Sequence, residues 1–450
     1  MAYGKKKLLL YWVVVRIIFS RKHVNKIRNK NVTVGFFHPN CNARTPQENI
    51  LWSAVEAIQW QYGNVQICVY TGDVGTSSKT ILDNVESTFN IKLQHNIRFV
   101  YLKHGKWIKS FAYLGSMWVA CESLALLKPH IVIDTMGYGF VNFIFKYVGG
   151  CKVINYIHNP LVSMDKLKTR HVILNNNQYM VTRRSPSALG ISKGIGFLYG
   201  WTGRSADIVM VNSAWTEENI NSIWKCPKKV HRVYPPIGLE KLIKRADRYW
   251  DKKDNYQIIN ASEFKSENNH ELIMQVLSKL KLKLKPSIME EICLVLINLS
   301  TEEDKDYIKS LKKLITQLNL DEYVKIYPQC KHANHLEEEL VRSSYGIYAK
   351  VDDNVGSDII AGLAAGQIMV VHASGASKDE LIETGESQNG YLAKTVEDYV
   401  HALTEALNLS GTDKRRMQKS ARRTAEQFSR RYFQKKFLEI IESFFKTKAA

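Results

Sequence analysis

VGSDIIAGLAAGQIMVVHASGA, from Val355 to Ala376, packs a loop, a helix, a strand and a turn into twenty-two residues. The small apolar run Asp358–Ala365 reads as a helix stopped by Gly366, Gln367–His372 as a buried strand, and Gly375 as a turn. A loop that feeds a helix N-terminus offers unpaired N–H groups and partial positive charge. It therefore suits a phosphate or a sugar hydroxyl. Short apolar strands and longer helical segments alternate on both sides of this stretch, so its neighbours extend one parallel sheet covered by helices.

Upstream, Val32–Phe37, Val65–Tyr70, Ile97–Leu102, His130–Thr135 and Lys152–Ile157 read as strands, with a helix carrying Glu48, Leu51, Trp52, Val55 and Ile58 and another over Phe111–Leu127. Gln257–Ala261, Ile292–Ile297, Val324–Ile326 and Gly346–Ala349 supply a second set of strands, and Gly411–Phe445 reads as a terminal helix. The expected organisation is a segment at 1–30, an α/β domain at 31–240, a second at 241–425 and a terminal helix at 426–450 crossing back to the first domain. In parallel sheets, ligands sit outside the carboxyl ends of the strands. That geometry draws attention to His38, Asp134 and His158, all at such ends. For Asp134, a cap on the following turn and a ligand-binding group are both open readings.

The chain has 450 residues, enough for two cores, and 63 basic against 43 acidic residues. Residues 1–30 hold nine Lys and Arg and no acidic residue, while Asp413–Ala450 holds twelve basic and four acidic. Such clusters meet an anionic membrane face, phosphorylated ligands or nucleic acid. No zinc-finger spacing, RNP-like aromatic motif or recognition-helix signature is present, so no nucleic-acid partner is expected. Seven cysteines are scattered without a C-x-x-C pair, which reads as reduced thiols facing the cytosol. Leu8–Phe19 is a twelve-residue apolar run bracketed by Lys5–Lys7 and Arg21–Lys22, too short for an untilted span and without a cleavage site after it. It reads as an uncleaved membrane anchor, lying in the interface or forming a short strained span. Met164–Arg204 is also basic and contains the mildly apolar Ala188–Tyr199, expected as a loop that docks on lipid headgroups.

Five motifs in one order carry a family resemblance: Phe36-Phe37-His38-Pro39 with Cys41-Asn42-Ala43, Tyr70-Thr71-Gly72-Asp73, Ile133-Asp134 with Met136-Gly137-Tyr138, Tyr156-Ile157-His158 with Pro160, and Val209-Met210-Val211-Asn212-Ser213 with Trp215-Thr216. Together they resemble the α-1,2-mannosyltransferases of dolichol-linked oligosaccharide synthesis, within the retaining two-Rossmann-domain (GT-B) glycosyltransferases, over roughly Val32 to Phe445. The resemblance implies two doubly wound α/β domains facing a cleft. It implies GDP-mannose as donor, a dolichol-pyrophosphate Man3GlcNAc2 acceptor, and the cytosolic face of the endoplasmic reticulum membrane. Other mannosyltransferases of the same pathway are implied partners, and neither metal nor cofactor is required. Among site residues it implies His158 and Asp353 at the donor sugar. Lys265, Asn268, Gly356, Ala361, Gly375 and Lys378 fall on the donor side, and His38, Asn42, Arg44, Glu48 and Asp134 on the acceptor-side loops.

Departures from the family pattern are concentrated at the donor. The family's Glu-x7-Glu pair is Asp353 and Ala361 here, its glycine run after Cys-Asn-Ala is Arg44-Thr45-Pro46-Gln47, its loop Arg and Lys are Lys265 and Asn268, and two later glycines are Asn298-Leu299. Loss of glycine restricts close backbone approach to a diphosphate, and Lys lacks the bidentate fork of Arg. Three readings stand at this point: an active divergent mannosyltransferase, a weakened or inactive paralogue acting as scaffold or regulator of glycosylation enzymes, and a transferase with a changed donor.

Overall fold

A computed structural model of the chain describes residues 32–94, 96–105, 112–163, 170–175, 178–183, 186–300, 304–329, 333–353 and 355–445. The expected anchor at 1–30 lies outside these residues. The chain forms two compact units: Met1–Asn175, Tyr179–Pro236 and Arg430–Ala450 make the first, and Asn176–Gln178 with Ile237–Ser429 make the second.

In the first unit, β1 (Thr33–Phe37), α1 (Pro46–Gln61), β2 (Gln66–Thr71), α2 (Ser78–Phe89), β3 (Ile97–Tyr101), α3 (Ala112–Leu126), β4 (Ile131–Asp134), α4 (Phe140–Phe143, running into a π turn Ile144–Val148) and β5 (Lys152–Ile157) follow in order. A two-stranded ribbon, β6 (Arg170–Asn175) and β7 (Gln178–Arg183), precedes α5 (Pro186–Gly203), β8 (Ile208–Val211), α6 (Ala214–Trp224) and β9 (Val230–Arg232). The sheet order is β3-β2-β1-β4-β5-β8-β9, with every pairing parallel. Strands buried on both faces need apolar runs rather than alternation. β1 meets that need by sending Phe37 to the core on one face of the sheet and Val34 and Phe36 to the other.

The second unit contains α7 (Glu240–Tyr249), β10 (Asp254–Ser262), α8 (His270–Lys283), β11 (Cys293–Asn298), α9 (Lys305–Gln317), β12 (Val324–Tyr327), α10 (Ala333–Arg342) and β13 (Ser343–Tyr348). It continues through α11 (Ser357–Ala364), β14 (Ile368–His372), β15 (Gly390–Ala393), α12 (Val396–Leu407) and α13 (Gly411–Glu426). Its sheet, β12-β11-β10-β13-β14-β15, is likewise all parallel. Both orders reverse once, between β1 and β4 and between β10 and β13, and each reversal opens a crevice at the strands' carboxyl ends.

Two expectations need correction. The single helix expected over Gly411–Phe445 is two, α13 and then α14 (Arg430–Ile441), because Phe428 buries its ring at the break and Ile237 donates to its carbonyl. The change of unit therefore falls at 429/430 and 236/237, a few residues from the expected 425/426 and 240/241. The segment Ala188–Tyr199, expected as a loop, lies within helix α5. Gly190 and Gly194 have open space around them, and at the C-terminal end of α5 Gly203 lies against the Trp224 ring, where α5 and α6 approach too closely for a side chain.

α14 closes the first core. Phe433, Phe437 and Ile441 are buried with α1, Phe433 meets the Tyr156 ring edge-on at 6.0 Å, and the Gln434 side chain donates to Ser53 O. Truncating a fully buried aromatic costs about 3–5 kcal/mol. Phe433→Ala is expected to lower the denaturant midpoint of the first unit accordingly, while the surface change Glu439→Ala leaves it in place.

Candidate donor and acceptor site

The residues singled out from the sequence lie at the carboxyl ends of the strands, in the loops after them or in the helices that follow. In the first unit, β1 pairs with β4 so that Phe37 faces Asp134, which brings His38 and Thr135 side by side. His38 Nδ1 and Thr135 Oγ1 are 2.7 Å apart, and burial lowers the imidazole pKa to about 3, so the ring is neutral. Asp134 is fully buried and accepts from the amides of Met136 (2.9 Å), Gly137 (3.2 Å) and Tyr138 (2.8 Å) and from Asn155 Nδ2 (2.7 Å). Those bonds make it the cap of the 135–139 turn, one of its two open readings, and burial raises its pKa to about 7.

The loop between β1 and α1 is likewise self-satisfied. Glu48, at the third position of α1, takes the amides of Ala43 (3.1 Å) and Thr45 (2.8 Å) in a capping box, and the Arg44 amide also faces it. A diphosphate would have to displace this internal carboxylate, whose pKa burial pushes up. Arg44 keeps the left-handed conformation of a glycine at φ 63° and reaches Asn84 Oδ1 at 2.8 Å, while Asn84 Nδ2 holds Asn42 Oδ1 at 2.9 Å. His158, at the end of β5, differs from these loop residues. It is part-exposed, lies 3.3 Å from Asn212 Nδ2 at the end of neighbouring β8, and its pKa is lowered by burial.

In the second unit, the loop after β10 is stitched from below. Ser262 Oγ bonds Asn260 Oδ1 (2.7 Å) and His270 Nε2 (3.1 Å), His270 Nδ1 meets the Tyr307 hydroxyl (3.1 Å), and burial takes the His270 pKa down to about 4. Asn298 accepts from the amides of Phe264 and Ser300 at 3.0 Å. Asn268 turns inward to Glu263 O at 2.6 Å, and Lys265 forms an ion pair with the Glu263 carboxylate.

Across the order reversal stands α11. Its N-cap is Gly356, at φ 68° and with no capping side chain, so the first-turn amides keep no side-chain partner from that position. The Asp353 loop is held in place by Ala376 N to Asp353 O (2.8 Å) and by Asp352 N to Ser374 Oγ (2.8 Å). Gly375, at φ 54°, permits that contact, since a Cβ there would come within 2.6 Å of Asp353 O. Lys378 is exposed on the turn that follows β14, and Ala361 is part-exposed on α11.

Sequence reading overlooked Asp358. It lies three residues before Ala361 and so on the same helix face. Side chains on a helix lean toward its N-terminus, so a glutamate at 361 and the short Asp358 would hold their carboxylates near the same level. Burial raises the Asp358 pKa to about 6, Asp353 and Glu263 push it further, and Lys350 and the Ser357 hydroxyl oppose them. An acidic residue in the first turn after a cap glycine was the signal available for it.

Two α/β units, each built on an all-parallel main sheet with one strand-order reversal, form the two-Rossmann-domain architecture, and solved structures agree on the fold. A Rickettsia africae glycosyltransferase superposes with a TM-score of 0.63 at 14% identity, covering 93% of this chain and 100% of that one. Anabaena HepE in complex with UDP gives 0.57 at 13%, covering 92% and 100%. Residues 31–224 match the family model ALG11 mannosyltransferase N-terminus, and residues 243–424 match Glycosyl transferases group 1. The GDP-Man:Man(3)GlcNAc(2)-PP-Dol alpha-1,2-mannosyltransferase of Xenopus laevis is 31% identical over 97% of this chain and 93% of its own length, and that of Homo sapiens is 31% identical over 96% and 92%. The chain belongs to this mannosyltransferase family.

Because the folded pKa of Asp358 is raised above its ordinary 3.8 to about 6, its contribution to stability is full below pH 4 and is lost as pH rises through 6. The difference in unfolding free energy between the natural chain and Asp358→Asn, followed by denaturant titration from pH 4 to 7, should move against the natural chain as pH rises. A difference independent of pH would refute the assignment.

Proposed function

We propose that the chain is a retaining α-1,2-mannosyltransferase that uses GDP-mannose to elongate dolichol-pyrophosphate-linked Man3GlcNAc2 at the cytosolic face of the endoplasmic reticulum membrane. The observation that carries the reading is the α11 N-terminus, left without a capping side chain beside the order reversal of the second unit. It is a ready seat for a diphosphate. In the reaction the bond from mannose C1 to the GDP oxygen breaks. A bond from C1 to the acceptor 2-hydroxyl oxygen forms on the same face, and the hydroxyl proton passes to the leaving diphosphate oxygen. Charge grows on the leaving diphosphate, so donors fixed in advance carry most of the rate. The α11 amides, Lys265 and Lys378 serve that charge, Gly356 and Gly375 give the backbone its approach, and Asp353 and His158 serve the donor sugar. On the acceptor side His38, Asn42 and Arg44 shape the loop, while Glu48 and Asp134 hold it in place. Neutral His158 suits a hydrogen-bonding role beside a sugar better than ion pairing.

A membrane acceptor asks for contact with the bilayer, and the first unit carries an apolar surface fit for it. Phe197 is 72% exposed and Trp201 49%, with Tyr147, Ile191 and Leu198 also exposed. Phe143 packs between Tyr147 and Trp201 at 5.0 and 4.9 Å. No helix among the described residues is long and apolar enough to cross a membrane. This surface therefore belongs to an interfacial contact, alongside the anchor expected at 1–30.

GDP-mannose binding by calorimetry tests the donor reading. Saturable binding is expected, and Ala361→Glu with Asn268→Lys should tighten it by about tenfold or more, since each adds a charge-assisted hydrogen bond. No binding at millimolar donor would overturn the reading and leave the scaffold alternative. For the surface, Phe197→Ser with Trp201→Ser should reduce flotation with phosphatidylcholine vesicles, and unchanged flotation would count against it.

A further inference from the structure

The basic excess of the C-terminal region is absorbed neither by the donor site nor by the apolar surface. Glu240–Lys253 and Gly411–Glu426 together hold twelve Lys and Arg against five Asp and Glu. Ion pairs join α7 and α13 side by side: Arg422 to Asp247 (2.7 Å) and Arg415 to Asp251 (3.3 Å), with the Arg422 guanidinium 5.3 Å from the Trp250 ring. Arg416 pairs with Asp413 (3.0 Å), and Arg245 turns away to Glu337 (3.4 Å) and Glu338 (3.3 Å) on α10. These pairs consume most of the local carboxylates.

What remains is a row. Lys241, Lys244, Arg248 and Lys252 are all exposed, and their spacing of three, four and four residues puts them on one side of α7 and the turn after it. The row is about 16 Å long. Lys419 and Arg423, also exposed, add a second pair one turn apart on α13, around a depression they share with Asp247, Trp250, Asp251, Arg422 and Glu426. Among the described residues no ion pair engages any of these six. Lys253, whose ammonium donates to Val341 O (2.8 Å) and Ser343 O (3.0 Å), has its pKa lowered to about 7 by burial and then by Lys414 and Arg422.

We propose that the α7–α13 face of the second unit docks on anionic phospholipid headgroups, a contact separate from the apolar surface of the first unit. Six unpaired cations spread over two adjacent helices complement a laterally uniform negative surface, which needs no groove. Neither helix exposes a large apolar side chain, so the face rests on headgroups without inserting into the bilayer. A single-stranded nucleic-acid site would interleave exposed aromatics with the cations, and an acidic protein partner would need apolar anchors at the centre. This face offers neither. The proposal rests on the reading of the chain as acting at a bilayer, and it adds selectivity for anionic lipid to that reading.

The test uses the full chain and flotation with phosphatidylcholine vesicles, with and without phosphatidylserine. The variant K241Q/K244Q/R248Q/K252Q keeps good helix formers, and K305Q/K309Q/K312Q/K313Q on α9 removes the same net charge from four other exposed lysines. Each basic residue near an anionic surface contributes about fivefold in binding. The α7 variant should therefore lose at least about tenfold of the phosphatidylserine-dependent binding, with binding to neutral vesicles unchanged and the α9 variant close to the natural chain. Equal losses in both variants would reduce the effect to net charge and overturn the proposal. So would an α7 variant that floats like the natural chain, or one that loses binding to a single-stranded RNA probe but not to vesicles. A natural chain that floats with neither vesicle would instead refute the bilayer reading beneath it.

Discussion

An all-parallel sheet buried on both faces confines the chain's free polar chemistry to one edge. β1 sends Phe37 to one core and Val34 and Phe36 to another, β10 buries Ile258, Ile259 and Ala261, and the ladders consume the backbone groups. Only the loops at the carboxyl ends can meet a ligand. The order reversals at β1/β4 and β10/β13 then separate neighbouring loops and open a crevice in each unit. The placement of His38, Asp134, Lys265, Asp353 and Gly375 follows from that single constraint.

Within those crevices the chain has turned many of the polar groups expected at a donor toward itself. Glu48 fills the amides of its own loop, Asn268 bonds Glu263 O, and Asn298 carries the Phe264 amide. Arg44 holds a glycine's backbone conformation while its side chain is tied to Asn84. Arg44, Lys265, Asn268 and Asn298 thus each have an internal partner, whereas Ala361 has no polar group to pair. Lys378 is exposed, His158 is part-exposed and the α11 N-terminus has no capping side chain, while Asp358 stands on the helix face that carries Ala361.

Surface chemistry is divided between the units. The first presents aromatic and aliphatic side chains from α5 and the π turn, and the second presents a row of cations from α7 with a pair from α13. Apolar contact depends little on salt, whereas the charged face is screened over about 10 Å at moderate ionic strength. Two contacts of such different physics respond to lipid composition independently.

By itself the sequence determined the alternation of strand and helix, the parallel sheets, the loops at the strands' carboxyl ends, and the family, because hydrophobic period and turn residues act locally and survive in one dimension. It also marked the basic C-terminal region, though not its arrangement. The break at Phe428 was illegible because it depends on a partner almost two hundred residues away, Ile237, and the close approach of Gly203 to Trp224 between α5 and α6 is likewise contained in no local rule. Tertiary structure alone decided which polar residues are consumed by internal hydrogen bonds. Asp134 and Glu48 look like site carboxylates in sequence, yet the amides that claim them are fixed only by the path of the folded loop. Hydrogen-bond satisfaction is a property of three-dimensional neighbours, and burial makes it obligatory.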